Sequence, residues 1–406
     1  MNKRILSAML ALFLALSLSG CGADHGPDRD SLPPLPDMDA AAPEHSSSVS
    51  GNVLREEKLD SGLTVTVYVD GTLLLENGNI TRELRASPEL SDVFAGISVV
   101  KLGEGVTAVE DKAFSGFDKL KSLVVGDSVR QIGYSAFSDC TALEDVSFGG
   151  GLESIGDYAF SGCTSLRDAS LGDSVTQIGS YAFSGCTSLK NAAIGPSVTS
   201  MGNRTFSGCT AFTSLRTGSS VSDSAFEDLT SLESVVFEET VKLIGTRAFA
   251  GCTALKNISF SSGLETIGSY AFSGCTALNN IRIPASLTSL EKEAFSGCTK
   301  LSTIEIEEGG SLNIGDSAFS GCTALKTVAL AEGVTVLGEK TFSECKALES
   351  VILPRSLTKI GYGFLYGTEE LRMLGYRGNA ADWNKIERAR NWNLGAGMAS
   401  ITYNAG

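Results

Sequence analysis

Histidine is almost missing from this sequence: there are two in 406 residues, His25 and His45, and both precede residue 50. Everything after that point lacks the base of a Ser-His-Asp or Cys-His arrangement and the commonest nitrogen ligand for zinc. Isolated histidines in a polar stretch are ordinarily solvated, so His25 and His45 do not call for a metal. Proline is sparse at 9 and tryptophan sparser at 2, Trp383 and Trp392. The apolar run from Ile5 to Leu18 falls short of the roughly 20 residues that span a bilayer. Cations are outnumbered, 32 Lys and Arg against 47 Asp and Glu, and the resulting charge of −15 repels nucleic-acid phosphates. A nucleic-acid partner is not expected. No glycine loop is set apart to cradle a phosphate, because the glycines follow a repeat, and no cofactor is expected. A pair of carboxylates acting on a glycosidic bond is the one catalytic arrangement left, yet each candidate Asp or Glu reads as solvated surface. The chain is not expected to be an enzyme. What is abundant is glycine, 45 residues, within a composition that is 42% hydrophobic, which describes a folded chain rich in turns.

The first 20 residues have the order of an export signal: Lys3 and Arg4, the apolar run, then small residues. Leu18-Ser19-Gly20-Cys21 resembles the lipobox of bacterial lipoproteins, which implies cleavage before Cys21 and lipid attachment to it. The plain alternative is an ordinary signal peptide followed by an incidental cysteine. A cysteine bearing several acyl chains anchors firmly where one chain would not. Residues 21–50 are rich in Pro, Asp, Ser and Ala and nearly free of bulky apolar residues, so they read as a disordered tether. A flexible chain of that length spans about 30 Å.

From there one column of phenylalanines sets the register, starting at Phe114, Phe137, Phe160, Phe183 and Phe206 and ending at Phe364, with 23 residues between most neighbours. Twelve such units are counted. In the unit beginning at Leu255, Ile258 and Phe260 alternate with Asn257, Ser259 and Ser261, the pattern of a half-buried strand. Leu264 to Ile267, closed by Gly268, reads as a second extended segment. Ala271, Phe272, Cys275 and Leu278 fall at helix-compatible spacing and predict a brief helical turn. No unit can bury its apolar face alone, but stacked units build one core. The expected fold is an α/β repeat solenoid, a right-handed stack with one strand, one extended segment and one helical turn per unit of about 23 residues.

The unit resembles the BspA-type leucine-rich repeat, whose pattern runs approximately L-x-x-I-x-I-P-x-S-V-T-x-I-G-x-x-A-F-x-G-C. Ile281-Arg282-Ile283-Pro284-Ala285-Ser286-Leu287-Thr288 and Ile178-Gly179-Ser180-Tyr181-Ala182-Phe183-Ser184-Gly185-Cys186 carry the likeness best. The resemblance covers about residues 97–374. It departs from the common leucine-rich pattern in placing the cysteine beside the phenylalanine. The resemblance implies a surface protein that binds other proteins, with host matrix proteins as the sharpest expectation.

Nine cysteines, from Cys140 to Cys345, each follow a column phenylalanine by three residues. That period is the repeat's and not a metal site's. Stacked columns about 4.8 Å apart are too wide for unstrained disulfides, so the thiols are expected to be free and buried. Phe117, Leu229 and Gly367 take the same slot in the remaining units. Between Phe206 and Phe226 the unit is three residues short, and a bend or loosening is expected there, either a harmless deletion or a hinge. One extra residue near Gly309-Gly310 is expected to form a bulge. Residues 51–96 should cap the N-terminal end, with a hairpin from Leu63 to Leu75 turning at Asp70-Gly71. Residues 375–406 should cap the other end. Trp383 and Trp392 there serve either as cover for the last repeat or as a grip for a sugar.

The candidate working surface is the outward side of the strands. One outward column runs Val124, Ser147, Ser170, Ala193, Arg216, Val236, Ser259, Arg282, Glu305, Ala329 and Ile352. Arg216, Val236, Ser259, Arg282 and Glu305 are its expected centre. At about 4.8 Å per strand, twelve units present a face nearly 60 Å long, which suits a protein or an extended polymer better than a small molecule. The expected function is adhesion or interaction by an exported, lipid-anchored protein at the bacterial envelope. The alternative is a glycan-binding or envelope-organising module.

Overall fold

The computed structural model describes residues 51–81, 83–88, 90–195, 197–396 and 400–405. The signal, Cys21, the tether and both histidines lie outside these residues. Alternation of apolar and polar residues makes one strand per repeat, and the repeat period places successive strands side by side. Val99–Leu102, Ser122–Val125 and Asp145–Ser147 pair in parallel, with Leu123 between Val100 and Val146. The V-T-x-I-G segments form a second parallel row, in which Ile132 sits between Val109 and Ile155. Inward side chains of the two rows meet in one cluster of buried residues. The fold is a parallel β-solenoid.

Its third side is not helical, contrary to the expected helical turn. From Lys112 to Lys340, the residue two before each column phenylalanine has a φ between 51° and 60°. The residue two after it is left-handed as well, glycine in most units but Asp139, Asp228 and Glu344 in three. A left-handed residue on either side of the phenylalanine stops a right-handed helix from forming. Alternate N–H groups therefore point to the next rung instead of back along the chain. Ser135, Phe137 and Asp139 donate to the carbonyls of Asp157, Ala159 and Ser161 at 2.9, 2.8 and 2.7 Å. Helix-like spacing arose here from a repeated double turn. Among the described residues the α-helices are Glu83–Ala86 and Ala380–Trp383, neither in a repeat.

Phenylalanines from Phe114 to Phe342 stack face to face, centroids 5.0 to 5.6 Å apart and planes within 8°. All are fully buried, and truncating such a side chain costs about 3–5 kcal/mol. Phe364 does not continue the column. Phe342 N donates to the Phe364 carbonyl, whereas Phe319 N donates to that of Thr341, so Phe364 holds the alanine slot and Leu365 the phenylalanine slot. The slip also moves the cysteine slot from Gly367 to Thr368, whose hydroxyl donates to the Leu365 carbonyl at 2.7 Å.

The nine cysteines are free and buried. Each thiol donates to the carbonyl of the phenylalanine one rung back, as Cys163 does to Phe137 at 3.2 Å and Cys275 to Phe249 at 3.3 Å. Cysteine thus fills a small apolar slot and supplies a weak donor, which explains it better than apolar size alone. Burial pushes the Cys298 and Cys345 thiols up to about 12 and Cys275 well above its ordinary value. Such thiols are inert.

The short unit keeps its pairing on two sides. Ser214–Thr217 pairs with Ser234–Phe237 over four residues, and Phe206 stacks on Phe226 at 5.3 Å. The deletion interrupts only the second row, where Val221 alone bridges to Ile244. There the Ser220 hydroxyl accepts from the N–H groups of Lys242 and Leu243, 3.4 and 3.3 Å away. One rung later a backbone carbonyl, that of Lys242, has this task for Glu265 and Thr266. Near the inserted glycine the second-row register shifts between Leu312 and Asn313, the expected irregularity displaced a few residues on.

At the N-terminal end β1 (Val53–Lys58), β2 (Thr64–Tyr68) and β3 (Thr72–Glu76) form an antiparallel meander, and β3 pairs in parallel with Val99–Leu102. Asp70 and Gly71 (φ 83°) make the expected turn, while β1 is an added edge strand. At the other end Glu387–Arg388 and Ile401–Tyr403 extend the two rows by one strand each.

Candidate binding face

Outward residues of the first row stand at strand positions fixed by the pairing. Arg216, Val236 and Ser259 lie side by side in one hydrogen-bonded sheet, and Arg282 faces Glu305 in the next. The structure therefore groups these residues as three and two. Arg216, Arg282 and Glu305 are exposed, while Val236 and Ser259 are half-buried. The two arginines do not point freely outward. Arg216 Nε donates to Glu238 at 2.8 Å, and Arg282 Nε donates to Glu307 at 2.9 Å. Both carboxylates sit just past the strand of the following rung. Glu305, opposite Arg282 in register, is thus passed over, and among the described residues it makes no ion pair.

The same cross-rung pairing recurs along the molecule and was not anticipated. Arg167 reaches Glu144 at 2.9 Å, Lys256 reaches Glu233 at 3.1 Å and Lys242 reaches Glu265 at 2.8 Å. Donating a hydrogen bond to Glu265 raises the Lys242 pKa. A signal was present in the sequence: opposite charges one repeat apart become neighbours when rungs stack. Exposed pairs of this kind contribute about 0–1 kcal/mol each, so their effect is on where charge is available more than on stability.

Aromatic side chains separate into hidden and exposed groups. Trp383 is 4% exposed, packed on Tyr376 at 5.3 Å and Trp392 at 5.6 Å, with Arg388 over its ring. Asn379 caps the helix that carries it, accepting from the N–H groups of Ala381 and Asp382. Trp392 is half-buried against Phe364. The tryptophans cover the last rung, so Trp383 has no free face for a sugar. The turn side carries a further aromatic group, in which Tyr134 is exposed and Tyr158 and Tyr181 are half-buried. Tyr158 and Tyr181 stack at 4.8 Å, Tyr134 meets Tyr158 edge-on at 5.7 Å, and Lys112 lies 5.5 Å over Tyr134. The spacing of Tyr158 and Tyr181 by one repeat was legible; that Tyr134 joins them depends on how the turn corner folds.

Among the described residues no group of His, Cys, Asp or Glu is placed to hold a metal ion. No helix among them is long and apolar enough to cross a membrane.

In comparison with known proteins, a model described as the BspA type leucine rich repeat region, in six copies, matches residues 93–213, 219–311 and 277–385. No curated protein matches the chain. Solved structures similar to it include a leucine-rich repeat protein from Bacteroides ovatus, 19% identical, covering 88% of this chain and 99% of that one with a TM-score of 0.43. Another is a leucine-rich repeat protein from Eubacterium ventriosum, 21% identical, with 87% and 97% covered and a TM-score of 0.45. A leucine-rich cell surface protein from Faecalibacterium prausnitzii is 25% identical, with 82% and 97% covered and a TM-score of 0.36.

Proposed function

Because the chain belongs to the BspA-type leucine-rich repeat family, we propose that it is an exported binding protein of the bacterial surface, held by a lipid on Cys21 and recognising an extracellular protein through its strand row. The family favours protein–protein interaction, and host matrix proteins are the class of partner to test first. The observation that carries the reading is the strand row itself. It repeats one outward position per rung, with exposed charged residues, Arg216, Arg282 and Glu305, set among short side chains. A broad, regular surface of that kind meets another surface better than it encloses a small molecule. Catalysis has little to work with, since residues after 50 contain no histidine and the thiols are buried.

Solid-phase binding to a panel of matrix proteins and glycans tests the assignment. Binding to a matrix protein that falls at least about tenfold in Arg282→Ala with Glu305→Ala is the expected result. Loss of all matrix binding, with one glycan bound and Tyr134 required, would replace it by the glycan-binding alternative, which the exposed ring of Tyr134 favours. Cys21→Ala should release the protein from the membrane fraction; unchanged association would end the lipoprotein assignment.

A further inference from the structure

The three sides of the solenoid differ in continuity. Phenylalanine stacking runs from Phe114 to Phe342 without a gap, and the second row breaks once, at the short unit. The strand row breaks three times: after Asp145–Ser147, after Asn257–Ser259 and after Thr303–Ile306. At the last two breaks, strands face each other across the gap and their inward residues, Ile258, Ile281, Ile304 and Val328, are large. At the first, the whole rung Asp168–Leu171 lies outside any sheet and keeps one bridge, Asp168 to Asn191.

The cause is in the core. The inward position of that rung is Ala169 and of the next Ala192, whereas every other rung from Val100 to Leu374 has Val, Leu or Ile there. Both alanines are buried, at 0% and 5% exposure, so the strand backbone lacks the packing that presses it against its neighbour. Asp168 adds to this by accepting a hydrogen bond from its own near neighbour, the Ser170 hydroxyl, at 2.8 Å. Backbone bonds entering the strands lengthen in the same stretch. They measure 3.2, 3.1 and 3.2 Å from Arg167, Lys190 and Thr213, against 2.7 to 2.9 Å from Lys121, Glu144, Glu233 and Lys256. On the other two sides the rung is intact, with Gln177–Ile178 paired to both neighbours and Phe160 on Phe183 at 5.3 Å.

We propose that Asp168–Leu171 is a joint, at which the strand face divides into two plates, residues 53–147 and 191–259, that tilt about the unbroken phenylalanine side. The tilt has a use if the strand row is the binding surface, as proposed above: a partner lying across both plates meets a face that adjusts to it. The joint itself needs no partner to be tested.

Hydrogen exchange of the full chain, read by peptide mass without ligand, decides it. Amides of 168–171 should exchange at least about tenfold faster than those of 214–217, and faster than those of 181–186 on the turn side of the same rung. Ala169→Val with Ala192→Val should slow them by a similar factor. Equal protection of 168–171 and 214–217 would overturn the joint. Fast exchange unaltered in a folded double variant would overturn it too, since the alanines are its stated cause. If the variant does not fold, the wild-type comparison decides alone. Failure to find any partner would count against the binding surface and leave the exchange result standing.

Discussion

Of the units that depart from the regular repeat, two fail in opposite ways. The unit between Phe206 and Phe226 has lost three residues yet keeps its strand pairing and its ring stacking. The unit at Asp168–Leu171 has the full 23-residue spacing and loses its strand altogether. Length is therefore not what holds a rung in place. The short unit retains a large inward residue, Leu215, and drops residues from a corner where Ser220 replaces a backbone acceptor. The full-length unit has alanine where the core needs bulk. A missing corner is local, whereas a thin core releases the backbone that it should hold.

The short unit also has a clip that, among the described residues, no other unit carries. Glu227, 5% exposed, stands where most units have serine and meets Arg247 at 2.6 Å and Arg204 at 3.6 Å, one rung to either side. It ties three rungs together across the deletion.

The comparison can be broken from either end. Phe226→Ala removes a fully buried ring stacked on both neighbours and should cost about 3–5 kcal/mol in urea unfolding, the largest single effect here. If the loss is under about 1 kcal/mol, the phenylalanine side is not the spine. Leu215→Ala should convert the short unit into a thin one, at about 2–3 kcal/mol, and bring its strand amides to exchange as fast as those of 168–171. Alkali should distinguish the two units. The neighbouring Cys140 thiol and burial hold Cys163 well above its ordinary pKa, and Cys209 with burial does the same for Cys186, while the short unit has Leu229 in that slot. Folded thiols stay protonated where unfolded ones ionise, so stability is whole below about 8.5 and falls as pH rises above it, by about 1.4 kcal/mol per thiol per pH unit. Exchange measured between pH 7 and 10 in Cys163→Ala and wild type should show the 160–190 stretch destabilised first and the variant less sensitive. Glu227→Ala should be the mildest, about 1 kcal/mol, because both arginines remain half exposed to water, with opening of the second row around Val221 as its signature. No change in exchange there would show the clip to be incidental.

Much of this was legible in the residues. The column of phenylalanines established the stack, its register and the fate of the cysteines as free buried thiols. It misplaced the last unit, where Phe364 matches the column in kind and Leu365 in position. It also suggested a helical turn, because a repeated double turn brings apolar residues inward at nearly helical spacing. The outward strand residues were found, but the pairing of Arg216 and Arg282 with carboxylates one rung on was not. That pairing depends on which side chains the rungs bring within reach.

By itself, then, the sequence determined the period, the strand positions and the inward columns, since apolar residues recurring at a fixed interval leave few ways to bury them. Tertiary structure decided the conformation of the third side, the ion pairs on the strand face and the place where that face comes apart. Each of these depends on contacts between residues about 23 apart, and their outcome is set by how the rungs pack, as two alanines in the strand core show.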